Sequence, residues 1–528
     1  MPAVLSQSAV SVSNNGPSIT IDLLPDELWW GGTVSDGRYM PFGDAPFARN
    51  LSTAGTSDNL IPTASNQSAP LLVSTKGRYL WSEGTFVFSF EHGTLHANCT
   101  SPDGQIVIVQ TDGNLREAYL AASRNHFPAS QRTPAMEMLT KPQYNTWIEM
   151  PYQPTQDKVL NYAHTILDTG MPAGTIMIDD KWCPDYGDWT FDRSAFPDPQ
   201  SMIGHLHNLG FHVMLWLVPF VSPDSATFRD LEAKGLLLRD HTGDTAVRRW
   251  WNGLSALLDL SNPDTIAWLS DSLDSLRALG VDGFKFDGAD FYDFHDDDRP
   301  HHALTPAEYC ERWASIGLDY PFNEFRACWR MGGQPLAQRL KDKPPLWTDD
   351  GIGALVPELL AQSMIGHPFT CPDMIGGGEV NDADHVGNDQ EFFVRYAQIA
   401  ALSPMMQFSV SPSRVLDDDH LSAVNTALRI RDEHMPLIEE LAQYAAETGE
   451  PIMRPMAYHY DGFDKVNDQF LLGDKLIVAP VTEQGVSKRR VAIPHGTWLS
   501  DLGERIVGPT TITTPVDIER IPRFRKVE

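Results

Sequence analysis

The sequence predicts a multidomain α/β chain with all-β flanks: a (β/α)8 (TIM) barrel between an N-terminal β-sandwich and a small C-terminal β domain. Three observations lead there. Short apolar runs alternate eight times with amphipathic helical segments across residues 139–450. Period-two patterning punctuated by Gly, Asp and Asn fills residues 1–138, and it returns over 451–528. A chain of 528 residues is also too long for one hydrophobic core.

In the first segment, residues 18–23, 79–81, 85–90 and 105–109 alternate as strands of an antiparallel sandwich, and the first helical stretch is 115–123. The barrel strands are expected at 146–149, 174–178, 212–216, 283–287, 323–328, 346–347, 369–370 and 405–408. Helices at 156–167, 265–279, 354–364 and 389–402 lie between them. An open doubly wound sheet is the alternative, but no glycine-rich phosphate loop follows the first strand. A helical region at 417–448 leads to strands at 469–472, 475–479 and 490–493.

Composition narrows the function. A formal charge of −30, spread along the chain, disfavours nucleic acid and anionic membranes as partners, because both would repel such a surface. No apolar stretch approaches the roughly 20 residues that span a bilayer. Residues 1–16 lack a basic segment followed by an apolar one, so no signal peptide is expected and a cytoplasmic location is the default. The five cysteines are scattered, with neither CxxC spacing nor an even count for a disulfide framework. No metal or cofactor is implied, and homo-oligomerisation is left open. Some of the 14 tryptophans could stack on sugar rings; core packing is the plainer use for most.

Reactive groups of a (β/α)8 barrel gather at the C-terminal ends of its strands. Here those ends carry Glu149, Asp179 and Asp180, Trp216, Lys285 and Asp287, Arg330, Asp349 and Asp350, and Asp373. Any one carboxylate could cap a helix. Their recurrence at one end of most strands predicts a shared cavity. Converging carboxylates without a His or Cys cluster point to acid/base chemistry at oxygen, of which glycoside cleavage is the commonest case. Metal-assisted hydrolysis would normally bring histidines to those ends; the pair His301 and His302 falls in a polar loop instead.

Several motifs carry a specific resemblance. Gly283-Phe284-Lys285-Phe286-Asp287 resembles the nucleophile strand of glycoside hydrolase family 31, and Trp347-Thr348-Asp349-Asp350 resembles its acid/base segment. Cys371 to Gly377 is similar to the strand that follows, and Asp468 to Pro480 to the family's proximal β domain. Within the family the likeness is to the branch of the myogenesis-regulating glycosidase and its bacterial α-galactosidase relatives. It is carried by Ile178-Asp179-Asp180, Tyr186-Gly187-Asp188, Pro219-Phe220-Val221, Arg249 to Gly253, and Met406-Gln407-Phe408-Ser409.

The resemblance implies a retaining, exo-acting α-glycosidase, foremost an α-galactosidase, acting on α-linked oligosaccharides or glycosides. Asp287 is the implied nucleophile and Asp350 the acid/base, with their carboxyls about 5–5.5 Å apart. Asp179 and Asp180 would hold hydroxyls, Trp216 and Trp251 would pack on the ring, and Lys285 would keep Asp287 ionised. Arg330 is taken for the family's arginine, with Arg326 and Arg339 as the other candidates, and Asp373 would support that arginine or a hydroxyl. An α-glucosidase, a transglycosylase and a catalytically silent sugar-binding barrel are the competing readings.

Overall fold

The computed structural model describes residues 3–4, 10–13, 16–54, 63–64, 67–101 and 104–527. Residues 1–16, read above for a leader, lie largely outside them.

Two antiparallel sheets form the N-terminal part. One contains Gly16–Asp22, Phe47–Ala54, Phe86–Glu91 and Thr94–Cys99; the other contains Trp29–Thr33, Gln67–Ser74, Arg78–Ser82 and Ile106–Gln110. Their facing side chains, among them Trp29, Leu71, Leu80, Phe88 and Leu95, are almost fully buried. The helix Leu115–His126 then leads to the barrel. Its start is fixed by a capping box in which Asn114 accepts from the backbone while Glu117 reaches back to the Asn114 N–H.

Eight parallel strands make the barrel: β1 Gln143–Asn145, β2 Thr175–Ile178, β3 His212–Leu217, β4 Gly283–Phe286, β5 Phe322–Phe325, β6 Gln338–Arg339, β7 Thr370–Cys371 and β8 Gln407–Phe408. Strands β1 to β7 pair in sequence order and β1 also pairs with β8. A parallel bridge between Ile375 and Phe408 closes the ring between β7 and β8.

Two strands differ from expectation. The first sits at 143–145, just before the apolar run 146–149. The sixth lies at 338–339, eight residues before the expected 346–347. Apolarity pointed to Leu346 and Trp347, yet Leu346 is 49% exposed, whereas Gln338, Arg339 and Leu340 are buried. A two-residue strand made of Gln and Arg has no apolar signature.

Two insertions shape the rim. After β3 the chain makes a three-stranded antiparallel sheet from Phe220–Val221, Val247–Trp250 and Gly253–Leu257. After β5, Cys328–Trp329 leaves the barrel and pairs with Gln67–Ser74 of the N-terminal sheet. A second contact joins the same two parts. The 3-10 turn Val34–Tyr39 lies on the helix Ile352–Met364, so closely that a Cβ on Gly37 would stand 2.5 Å from the Pro357 carbonyl oxygen.

The long helix Asp418–Thr448 follows β8, and an antiparallel sheet completes the chain around Lys488–Ser500 and Arg505–Pro515. The barrel helix Gln390–Ala401 holds this last part through Arg395 and Gln398, which donate to the carbonyls of Asp517 and Ile518. All five cysteines are buried thiols. No helix among the described residues is long and apolar enough to cross a membrane.

Candidate active site

The strand ends open into a cavity of about 300 Å³. Its lining includes Asp179, Asp180, Trp216, Trp251, Lys285 and Asp287 from the residues singled out in the sequence. Trp147, Tyr152, Arg326, Lys341, Asp342, Glu379, Val380 and Asn381 complete it.

Asp287 is the first residue beyond β4. Its backbone N–H still bonds to Leu217 on the neighbouring strand, and Trp313 donates to its carbonyl, so the side chain springs from a fixed point. Alternation along the strand turns Lys285 to the same interior. The Lys285 ammonium lies 2.8 Å from Asp179 Oδ2 and 3.8 Å from Asp287 Oδ2. Arg326 Nε stands 3.8 Å from Asp287 Oδ1, and the Trp216 indole N–H donates to Oδ2 at 2.7 Å. Burial works against ionising Asp287, but Lys285, Arg326 and the Trp216 N–H outweigh it and hold the carboxyl below its ordinary range. The group is therefore an anion, with both oxygens oriented.

Asp179 and Asp180 follow β2. The Asp180 N–H bonds to Asp179 Oδ1, while Asn252 and the Tyr186 hydroxyl donate to the Asp180 carboxylate. Burial and the adjacent Asp179 anion raise Asp180 to about 6, against the opposing pull of Lys181, Asn252 and Tyr186. Asn252 belongs to the hairpin that also carries Trp251, which is 41% exposed and lies under the Arg326 guanidinium at 5.1 Å.

Asp350 is not in this cavity. Its side chain is 75% exposed and pairs with Arg38 of the N-terminal part at 2.7 Å; Asp349 is exposed as well. Both follow the run mistaken for the sixth strand. The carboxylate that lines the cavity just after the true β6 is Asp342. Arg339 donates to its Oδ1 at 2.9 Å, and the side chain is 27% exposed. Arg326 lies within the field of Asp290, Asp287 and Asp342, which keep it cationic despite its burial. One guanidinium thus sits among the carboxylates at the ends of β4 and β6.

Arg330 is also elsewhere. The excursion of Cys328–Trp329 into the N-terminal sheet takes it away from the barrel mouth, where it bonds to Glu311 and to the Glu83 carbonyl. Arg326, the first residue after β5, occupies the cavity instead. Asp373 is fully buried beneath the lining. It accepts from Arg339 at 2.8 Å and from the backbone N–H groups of Lys343 and Gly378, so it ties the Asp342 loop to the loop bearing Glu379. The arginine it supports is Arg339.

Models of two family domains match the chain: the glycosyl hydrolases family 31 TIM-barrel domain over residues 136–308, and the glycosyl hydrolase family 31 C-terminal domain over 449–527. The myogenesis-regulating glycosidase of Mus musculus is 34% identical over 417 residues, which are 76% of this chain and 58% of that protein. The chain belongs to glycoside hydrolase family 31. An alpha-xylosidase of Lactiplantibacillus pentosus is 25% identical over 472 residues, 81% of this chain and 59% of its own length. The chain thus spans under two thirds of these curated relatives. Among solved family 31 structures, a Flavobacterium johnsoniae dextranase complexed with isomaltotriose superposes with a TM-score of 0.86, at 19% identity, over 99% of this chain and 68% of that one. A sulfoquinovosidase from E. rectale superposes at 0.84 and 19% identity, over 97% and 82% of the two chains.

Asp342 and Arg326 lie between the two matched family 31 domains, in the stretch that sequence reasoning handled least well. A signal for them was present. Leu336, Ala337 and Leu340 are buried, and the run they belong to ends on a carboxylate as β2 and β4 do. Arg326 likewise follows directly on the apolar Phe325.

Proposed function

We propose that this chain hydrolyses α-linked glycosides from their ends with retention of configuration, Asp287 serving as nucleophile and Asp342 as general acid/base. One observation carries the assignment: Asp287 and Asp342 line a single cavity from the ends of β4 and β6, whereas Asp350 faces solvent. The charged groups around Asp287 are buried, with Asp179, Asp180, Lys285 and Asp287 each at most 7% exposed, which suits a cavity that takes one terminal sugar.

The Asp287 carboxylate attacks the anomeric carbon, and the bond to the leaving oxygen breaks as Asp342 gives that oxygen its proton. The product is a β-linked glycosyl ester on Asp287. Asp342, now a carboxylate, takes a proton from water as the water oxygen attacks the same carbon, which frees Asp287 and leaves an α-configured sugar. Among the described residues Arg339 bonds Oδ1 of Asp342, which leaves Oδ2 for the proton transfers. Lys285, Arg326 and the Trp216 N–H hold Asp287 anionic for the attack. Asp179 and Asp180 accept hydrogen bonds from the hydroxyls of the bound ring, and no metal or cofactor enters any step.

For the sugar we take an α-galactoside, on the likeness of Arg249 to Gly253 and Met406 to Ser409 to the α-galactosidase branch of the family. Aryl α-galactoside, α-glucoside and α-xyloside assayed side by side test it; a preference for either of the last two rejects it.

Azide rescue tests the residue roles. Asp287→Ala with azide should yield the β-glycosyl azide, and Asp342→Ala the α-glycosyl azide. Asp350→Ala should behave as the parent enzyme does. If Asp350→Ala instead needed azide and Asp342→Ala did not, the acid/base assignment would be reversed.

A further inference from the structure

The cavity is graded from floor to rim. Asp179, Asp180, Trp216, Lys285 and Asp287 are each at most 7% exposed, Asp342 is intermediate, and Tyr152 and Trp251 are 38% and 41% exposed. A sugar whose anomeric carbon meets Asp287 fills the floor. Its leaving group must therefore depart past Asp342 toward the rim, where the aromatic rings of Tyr152 and Trp251 stand with Lys341, Glu379 and Asn381.

Tyr152 is held there at a cost. Its φ is +56°, a left-handed conformation that disfavours any residue with a Cβ and strains the backbone. The ring stands edge-on to Trp147 at 5.0 Å, and Trp147 is pinned by its indole N–H to the Gly378 carbonyl. Burial, then Asp180, Asp179 and Asp342, oppose ionisation of the phenol, which puts it beside both the ring-holding pair and the acid/base. The hydroxyl makes no hydrogen bond among the described residues that would explain the turn. A strained turn that presents an aromatic face to the exit of a cavity, without packing that face into the core, is characteristic of a binding element.

We infer that Tyr152 determines leaving-group specificity: its face receives the ring of the aglycone, so the favoured substrates are those whose leaving group is a second sugar or another ring with an apolar face. This rests on the reading of Asp287 and Asp342 as the reacting pair.

The test compares kcat/KM on a p-nitrophenyl α-glycoside with that on the α-glycosyl fluoride of the same sugar, whose leaving group has no ring. Tyr152→Gly suits the left-handed turn and should fold; in it the ratio of the two constants should fall roughly tenfold. Tyr152→Phe should keep the parent ratio. An unchanged ratio in Tyr152→Gly, with both constants reduced together or neither reduced, would overturn the inference and leave the catalytic pair standing. If the unmodified protein turned over neither substrate, the catalytic reading itself would fall, and the inference with it.

Discussion

The indole N–H of Trp216, near the end of one barrel strand, donates to Oδ2 of Asp287 at the end of the next across 2.7 Å. That bond gives a tryptophan with only 1% exposure a task beyond packing: it fixes which way the carboxylate points and favours its anion. In Trp216→Phe the ring is retained and the donor lost. We expect kcat to fall about tenfold as the attack geometry loosens, and the acid limb of kcat/KM to move to higher pH. An unshifted limb would mean that the bond does not tune the nucleophile.

Lys285 makes a stronger demand. Substituting Met removes a cation that touches both Asp179 and Asp287, and should move the acid limb upward by about 1–3 pH units, more than Trp216→Phe does. The stability profile shares the cause. Asp287 is held below its ordinary 3.8, so its contribution is present above that value and is lost as pH falls through the lower folded value. Lys285 is raised above 10.5, so its contribution is present below that value and is lost as pH rises through the folded one. Acid and alkaline unfolding followed by fluorescence should both begin nearer neutrality in Lys285→Met.

Asp180 titrates at about 6, which divides two binding states. In the proposed complex it accepts hydrogen bonds from sugar hydroxyls above that pH; below it, the neutral acid can also donate. KM for a glycoside should therefore inflect near pH 6, and the inflection should vanish in Asp180→Asn. Persistence of the inflection in that variant would assign it to another group.

Arg339 and Arg38 both reach an aspartate after β6, with opposite consequences. Arg339 is buried and bonds to Glu324, Asp342 and Asp373, so Arg339→Met strands two buried carboxylates and should cost about 3–5 kcal/mol in urea unfolding. The Arg38 pair with Asp350 is largely solvated, and Arg38→Ala should cost less than about 1 kcal/mol. Comparable losses from the two variants would contradict this division.

Most of the barrel was legible because its strands announce themselves. Val213 to Leu217 and Phe284 to Phe286 are buried apolar runs, and the helices between them show 3.6-residue periodicity and clear caps, such as Thr155 before Gln156–Asp168 and Asn262 before Pro263–Ala278. The strand-end rule then found Asp179, Asp180, Lys285 and Asp287. It failed first where the strand itself was misplaced. Strand β6 is held by neighbours on both sides and by the buried ion network of Arg339, and its own two residues are polar, so the rule was applied eight residues too late and led to Asp349 and Asp350, of which the family resemblance selected Asp350. Arg330 failed for a different reason: the chain after β5 adds a strand to another domain's sheet, a pairing between residues 328 and 67 that no local pattern encodes.

The sequence by itself determined the architecture, the strand that ends on Asp287 and the carboxylates of β2, because period, burial and polarity are written locally along each of those segments. Only the tertiary structure decided that Asp342, Arg326 and Tyr152 line one cavity with Asp287. That depends on where short polar segments come to rest against distant neighbours, and residues hundreds of positions apart set that through packing and charge.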